Sequence, residues 1–382
     1  MKRHTKFQTD SIISASSTIA HDLMSYYTGN QDSDSLGVLP KPYYWWEAGA
    51  MWGTMISYWH RTNDTTYVDE VGQAILSQAG PGKDFLMANQ VYDTGNDDQA
   101  FWALTAMSAA EYGFPVPNKS SASSNAYLDL AVNTFNEFVT RWNATTCNGG
   151  LKWQFTPSNN GFYYKSSIAN GGFFQLAARL ARHTGNCTYL EWAGKEWDWM
   201  VGTGFINSTS YVVLDGAGDD GDSNCTKISN QQWTYNNAIF LYGAAVLSSI
   251  KVSNSSTSSS VWLDRTKGLL SHATAQFFSP YSNATNVMFE WQCEESGTCQ
   301  TDQFSFKAYL SRWMTATAVL VPTLKNDILA LLTPSAQAAA AACSGGTGGS
   351  QCGTKWYVGG YDGVTGVGQQ MSALEVVVGL LI

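Results

Sequence analysis

The chain has 382 residues, of which 13% are charged and 44% hydrophobic, with 15 Trp, 19 Tyr and 17 Phe. So much aromatic surface beside so few charges, against roughly 25% in ordinary soluble proteins, excludes a disordered chain. With 21 basic against 30 acidic residues, a net charge of −9, no cationic stripe can neutralise phosphates, which excludes nucleic acid as a partner.

Helical periodicity dominates. In chain order it predicts twelve helices, over 9–28, 47–61, 65–79, 97–112, 123–142, 166–184, 187–201, 233–250, 259–278, 302–318, 323–340 and 368–382. In the fifth, Leu128, Ala131, Phe135, Phe138 and Trp142 lie three and four apart and so share one face. Phe173, Leu176, Ala177 and Leu180 do the same in the sixth. Strand-like alternation is scarce. The stretch Thr62–Val68 recurs as Thr184–Leu190, each copy following a helix that ends in Arg and His and placing a Tyr at the start of the next. This reads as one turn used twice between paired helices. Six helical hairpins predict an all-α fold, a closed (α/α)6 toroid, and the absence of long linkers predicts one domain over 1–382. Three long segments, 203–232, 280–301 and 341–367, are then expected to gather at one end, where a cleft belongs.

Eight Asn-X-Ser/Thr sequons occur, at Asn63, Asn118, Asn143, Asn186, Asn207, Asn224, Asn254 and Asn283. A low-charge surface rich in Ser, Thr and Asn is one that glycans can keep soluble. The seven cysteines, Cys147, Cys187, Cys225, Cys293, Cys299, Cys343 and Cys352, contain no Cys-X-X-Cys pair and suit disulfides in an oxidising compartment, with at least one thiol left over. The five histidines are scattered and show no ligand spacing, so neither a metal nor another cofactor is expected. No run of about 18 apolar residues exists, hence no membrane span is predicted. The start, Met1-Lys-Arg-His-Thr-Lys6, lacks the apolar stretch of a secretory signal. A signal already removed is expected, with the first residues foreign to the mature chain. Val376–Ile382 reads as a last helix, which in the natural chain can lead into a lipid-anchor signal. The expectation is a secreted monomer.

Only one cluster combines the residue types of a reaction centre with an unusual context: Gly95-Asn-Asp97-Asp98-Gln99, opening a helix. Adjacent carboxyls repel, release their protons in separate steps, and can leave one protonated near neutral pH. Glycosidases need such a pair, about 5 to 5.5 Å apart for retention. Neighbouring residues inside a helix diverge by about 100°, so a backbone bend at Gly95-Asn96 is expected to bring the two carboxyls together. The rival reading is an N-cap with an acidic first turn, held by free N–H groups and the helix dipole.

The chain resembles glycoside hydrolase family 76, the endo-α-1,6-mannanases, and within it the fungal cell-wall branch. The resemblance rests on Tyr44-Trp-Trp-Glu-Ala-Gly49, Gly95-Asn-Asp-Asp-Gln99, Asn170-Gly-Gly-Phe-Phe-Gln-Leu-Ala-Ala-Arg179, Trp233-Thr-Tyr-Asn236, and Glu290 through Cys299 to Asp302-Gln303 and Phe306-Lys307. These run in the family's order over nearly the whole chain. It departs at Asn237-Ala238, where the family usually has Gln-Gly. The resemblance implies an (α/α)6 barrel and a retaining reaction, with Asp97 as nucleophile and Asp98 as general acid/base. It further implies an α-mannoside substrate such as the GPI-core glycan, water or a β-glucan hydroxyl as acceptor, and a place at the cell surface or wall, GPI-anchored in the native chain. A glycan-binding wall protein that has lost turnover is the alternative from another class, and an inverting enzyme on the same toroid is a third.

The remaining candidates are sugar contacts. Tyr43 to Trp46, Phe162 to Tyr164, Trp233 and Tyr235 offer flat faces for sugar stacking or for core packing, whereas Trp52, Trp59 and Trp102 are assigned to the core. Glu47, Asn170 and Asn236 are polar groups in apolar runs that must find a cap, a buried partner or a sugar. The candidate substrate contacts are therefore Trp45, Trp46, Glu47, Asn96, Gln99, Asn170, Asp215, Tyr235 and Asn236. Asp215-Gly216-Ala-Gly218-Asp-Asp-Gly221 contains Gly-X-Gly-X-X-Gly after a strand-like Val212-Val213-Leu214. Its acidic residues would repel a pyrophosphate and no helix follows, so a dinucleotide site is excluded. No suitably placed Glu follows either, which excludes an EF-hand. An acidic surface loop is expected, with Asp215 in the cleft on the strength of the resemblance.

Overall fold

A computed structural model describes residues 2–31, 35–90, 92, 94–117, 122–221, 223–250 and 259–382; sequons Asn118 and Asn254 lie outside the described residues. Twelve α-helices are present among them: α1 (Lys2–Met24), α2 (Trp45–Thr62), α3 (Val68–Ser77), α4 (Asn96–Tyr112), α5 (Ala126–Arg141), α6 (Ser167–Thr184), α7 (Cys187–Gly202), α8 (Thr234–Ser249), α9 (Ser259–Phe277), α10 (Phe306–Leu320), α11 (Lys325–Ala342) and α12 (Val367–Val378). The even-numbered helices pack in sequence, α2 on α4, α4 on α6, and so on to α12, which closes back on α2. The odd-numbered helices lie outside this ring, each against at least one even neighbour. This is the expected all-α barrel.

The two layers differ in sequence because they differ in environment. Inner helices are buried on almost all sides, α6 along Ser167–Ala181 and α8 along most of Thr234–Leu247. Outer helices bury one stripe, as α5 does with Tyr127, Leu130, Ala131, Thr134, Phe135 and Phe138. Small residues let inner helices approach: a Cβ on Gly172 would lie 2.5 Å from Ala100 Cβ, which seats α6 against α4 just behind Asp97 and Asp98. Two buried ion pairs tie inner neighbours together, Arg179 to Glu111 (2.7 Å) between α6 and α4, and Arg312 to Glu375 (2.7 Å) between α10 and α12.

The repeated turn is the same atom for atom. Thr62 and Thr184 each donate from Oγ1 to the carbonyl four residues back (2.7 Å) and accept the N–H two residues on (3.2 Å). Asn63 and Gly185 take the left-handed conformation, with φ of 59° and 73°. Asp64 and Asn186 accept the N–H two residues further (2.9 Å). Both copies close an inner helix and open an outer one.

Three disulfides fix the loops, Cys147–Cys225, Cys293–Cys299 and Cys343–Cys352, and Cys187 is the leftover thiol, exposed. The strands are short. β1 (Tyr164–Ser166), β2 (Gly216–Gly218) and β3 (Ile228–Ser229) form an antiparallel sheet in that order, with Tyr164 opposite Gly218 and Ala217 opposite Ile228. β4 (Cys343–Gly345) pairs with β5 (Gln351–Cys352). The strand-like Val212 to Leu214 lies just before the sheet, where Val213 makes one bridge to Ile206. Among the described residues no single helix is long and apolar enough to cross a membrane.

Candidate active site

The inner helices α2, α4, α6, α8 and α10 all start at the same end of the barrel, around a cavity of about 250 Å³. Its lining comes from those starts: Trp46, Asp97, Asp98, Phe101, Ile168, Trp233, Tyr235 and Phe306, joined by Trp153, Tyr164, Asp215 and Asp302. Helix N-termini present free N–H groups and positive dipole ends; Asp97 and Asp98 occupy that of α4, and two further carboxyls, Asp215 and Asp302, face the same cavity. Segment 203–232 contributes Asp215 and Gln231, and Asp302 and Gln303 immediately follow segment 280–301. Segment 341–367 contributes no lining residue. In its place the loop between α5 and α6 supplies Trp153, because Asn170 on α6 clamps that loop through both the N–H (2.7 Å) and the carbonyl (3.0 Å) of Leu151.

Asp97 and Asp98 both lie within the first turn of α4, not on a bend. The backbone break expected at Gly95-Asn96 is reduced to an extended N-cap, Gly95, at φ −92°. The two side chains still reach one cavity because side chains tilt toward the helix N-terminus and the cavity lies beyond that end. The capping reading holds as well: Asp98 Oδ2 accepts the N–H of Gly95 at 2.6 Å. Glu47 does the same at the start of α2, taking the N–H of Tyr44 at 2.8 Å.

Trp153 Nε1 donates to Asp97 Oδ2 (2.8 Å). Trp46 Nε1 donates to Asp302 Oδ1 (3.2 Å), and Tyr164 Oη donates to Asp215 Oδ2 (2.8 Å). Burial, then the like charge of Asp98, pushes the Asp97 carboxyl well above its ordinary range, while the Trp153 N–H pulls it down. Burial pushes Asp98 up to about 7, opposed by the Gly95 N–H and assisted by the charge of Asp302. Burial also raises Asp215 and Asp302. Carboxyls so placed hold their protons to higher pH than free carboxyls do.

The other predicted contacts form the support behind the lining. Asn96 and Gln99 face away from the cavity: one Arg141 guanidinium nitrogen donates to Asn96 Oδ1 (2.9 Å) and Gln99 Oε1 (2.6 Å), while their amides donate to the carbonyls of Lys152 (2.8 Å) and Asp84 (2.6 Å). Trp45 stacks on Trp102 with ring centres 5.2 Å apart and donates to Gln78. Asn236 is fully buried and donates to Asp215 Oδ1 (3.2 Å). Glu47 and Asn170 are fully buried and act as cap and clamp. Trp46, Asp97, Asp98, Asp215 and Tyr235 line the cavity, where Tyr235 stacks flat on Phe306 (3.7 Å, 7°). Of the three tryptophans assigned to the core, Trp52 and Trp102 are fully buried and Trp59 packs edge-on against Phe114.

A further expectation is overturned. The acidic stretch after Asp215 is not a surface loop throughout, because Asp219 is 1% exposed and bound to Lys152 Nζ (2.6 Å) and Thr146 Oγ1 (2.7 Å). The Gly216–Gly218 strand pairs with β1 and draws Asp219 inward, leaving Asp220 exposed. Residue 222 lies outside the described residues. Sequence reasoning also passed over Trp153 and Asp302. Asp302 stands in a segment that carried the resemblance, whereas Trp153 had no signal beyond its residue type.

The sequence model of glycosyl hydrolase family 76 matches residues 11–382. Mannan endo-1,6-alpha-mannosidase DCW1 of Saccharomyces cerevisiae is 45% identical over 370 residues, covering 97% of this chain and 79% of that protein. Mannan endo-1,6-alpha-mannosidase DFG5 of the same yeast is 38% identical, over 97% and 78%. Among solved structures, Dfg5 of Chaetomium thermophilum in complex with glucosamine superposes with a TM-score of 0.89 at 39% identity, over 97% of this chain and 90% of that one. The alpha-1,6-mannanase GH76A of Salegentibacter sp. shares the fold, with a TM-score of 0.73 at 17% identity over 97% and 99% of the two chains. That structure is an inactive variant, two successive aspartates replaced by alanine, in complex with alpha-1,6-mannotetrose. A match over nearly the whole length, on a barrel whose inner helices aim adjacent carboxyls into one cavity, leads to one conclusion: the chain belongs to glycosyl hydrolase family 76.

Proposed function

We propose that the chain is a retaining glycosidase of the endo-α-1,6-mannosidase type, cutting α-mannosides with Asp97 as nucleophile and Asp98 as general acid/base. The observation that carries this reading is the Asp97-Asp98 pair in the first turn of α4, both members lining one cavity with aromatic walls. The relatives support it, being named mannan endo-1,6-alpha-mannosidases. In the first half-reaction an Asp97 oxygen bonds to the anomeric carbon as the glycosidic C–O bond breaks, and the departing oxygen takes the Asp98 proton. In the second, Asp98 removes a proton from the acceptor hydroxyl, which attacks from the face that the leaving group vacated, opposite Asp97, and displaces it. Trp46, Trp233 and Tyr235 supply flat surfaces for the sugar rings. Asp215 and Asp302 accept hydrogen bonds from sugar hydroxyls.

Water as acceptor gives hydrolysis, and a sugar hydroxyl gives transfer. We assign the GPI-core mannoside as donor and a β-glucan hydroxyl as acceptor, with the protein secreted, carried on the cell surface or in the wall, and GPI-anchored in its native form. Incubation with an α-1,6-mannooligosaccharide, followed by NMR of the first anomer formed, tests the chemistry. Retention is expected, and its loss by about a thousandfold or more in Asp97→Asn and Asp98→Asn. An inverted first product, or turnover that survives both substitutions, defeats the assignment. Adding a glucan oligosaccharide and following products by mass tests transfer: a mannosyl-glucan adduct is expected, and free mannooligosaccharides alone would leave a hydrolase.

A further inference from the structure

The four carboxyls of the cavity are not treated alike. Asp97, Asp302 and Asp215 each accept a hydrogen bond from an aromatic side chain, Trp153, Trp46 and Tyr164 respectively. Among the described residues Asp98 has no side-chain donor, only the N–H of Gly95. An N–H or O–H donor favours the charged carboxylate over the neutral acid. Asp97 and Asp98 thus each keep an N–H donor, the Trp153 indole and the Gly95 backbone respectively, and of the two only the indole belongs to a side chain that a substitution can remove.

Trp153 is the side-chain donor to Asp97, and the chain is built to hold it there. Its backbone N–H donates to the carbonyl of Tyr164 (2.7 Å), and its own carbonyl accepts the N–H of Asn96 (2.9 Å). Gln154 bridges Gly95. The start of α4 and β1 thus grip Trp153 from both sides. Its indole lies over Gly161, which has a φ of +91° and where a Cβ would come within 2.2 Å of the ring. Tyr164 meets the ring edge-on at 6.4 Å. Trp153 is 37% exposed, so its N–H could be satisfied by solvent, yet it points at Asp97 Oδ2.

We propose that Trp153 is a positioning residue for Asp97: its indole N–H fixes the orientation of the Asp97 carboxyl and favours its charged form. This rests on the assignment of Asp97 and Asp98 as the reacting pair. The balance is that of the first half-reaction: the Asp97–carbon bond forms, the glycosidic bond breaks, and its electron pair takes the proton from Asp98.

The test is the pH profile of kcat/KM on an α-1,6-mannooligosaccharide for the parent, Trp153→Phe and Trp46→Phe. Phenylalanine keeps an aromatic ring and removes the N–H. In Trp153→Phe the acid limb, which reports Asp97, is expected about one pH unit higher, with kcat about ten- to a hundredfold lower. Trp46→Phe, which strips the donor from Asp302, leaves the acid limb in place. The position of a limb does not depend on how much of a variant folds, so partial misfolding does not blur the result. An acid limb unmoved in Trp153→Phe, or moved equally in Trp46→Phe, overturns the proposal. If Asp97→Asn and Asp98→Asn keep the parental rate, it is the underlying assignment that fails.

Discussion

Replacing Gly95 by alanine places one methyl group where the site has no room for it. A Cβ there would lie 2.5 Å from Asp97 Oδ1, 2.8 Å from Gln154 Nε2 and 3.0 Å from the Trp153 carbonyl oxygen. The backbone at φ −92° accepts alanine without strain, so the whole effect comes from those contacts. The carbonyl belongs to a loop segment pinned on both sides, and the Asp97 carboxylate is the softest of the three. It must rotate away, which breaks its bond to Trp153 and turns its reactive oxygen off the cavity. Overpacking of this kind costs about 1 to 3 kcal/mol, and a misplacement of about 1 Å in a reacting group costs on the order of a hundredfold in rate. The assay is kcat on an α-1,6-mannooligosaccharide beside thermal unfolding: kcat is expected to fall about a hundredfold while Tm falls by only a few degrees. A Gly95→Ala protein with parental kcat would refute the claim that Gly95 is required by Asp97.

Further outcomes follow from the buried charges. Asp98 is pushed up to about 7, so the protonated acid is present below that pH and lost above it; kcat/KM should decline above about pH 7, and a profile flat to pH 9 would contradict the role. Glu47 and Glu290 are both pushed up to about 8 by burial. The folded state therefore binds more protons than the unfolded one, the stabilisation is complete below about 4.5, and it is lost as pH rises through 8. Tm should fall between pH 6.5 and 8, less steeply in Glu290→Gln, which keeps an acceptor oxygen for Thr234; calorimetry at both pH values checks this. Lys152→Met leaves the buried Asp219 carboxylate without its cation, which should destabilise the fold by about 3 to 5 kcal/mol in chemical denaturation. A loss under about 1 kcal/mol would mean that Asp219 finds water.

The helical barrel was legible because both of its layers write themselves into the sequence: inner helices as long apolar runs, outer helices as stripes such as that on α5, and the Thr62 and Thr184 turns as a repeated string. The Asp97-Asp98 pair was legible for its rarity, although its geometry was misjudged. A bend was expected because side chains diverge within a helix, but at a helix end they overhang a space in front of the axis. What escaped notice depends on contacts between distant segments. Trp153 meets Asp97 from 56 residues away, and Trp46 meets Asp302 from 256; no local period reports either. Asn96 and Gln99 sit beside the catalytic pair in sequence, yet helix geometry turns them to the opposite side, onto Arg141. Adjacency marked the region correctly and the facing side incorrectly. Asp219 was misplaced for a related reason, since a short strand of Gly216–Gly218 carries too few side chains to signal that it pairs.

The most direct measurement quenches turnover of a slowly reacting fluorinated α-mannoside and maps the trapped sugar by mass spectrometry of peptides. A mannosyl ester on Asp97 is the predicted result. A mannosyl ester on Asp98, or turnover with no covalent adduct at either residue, would contradict the account.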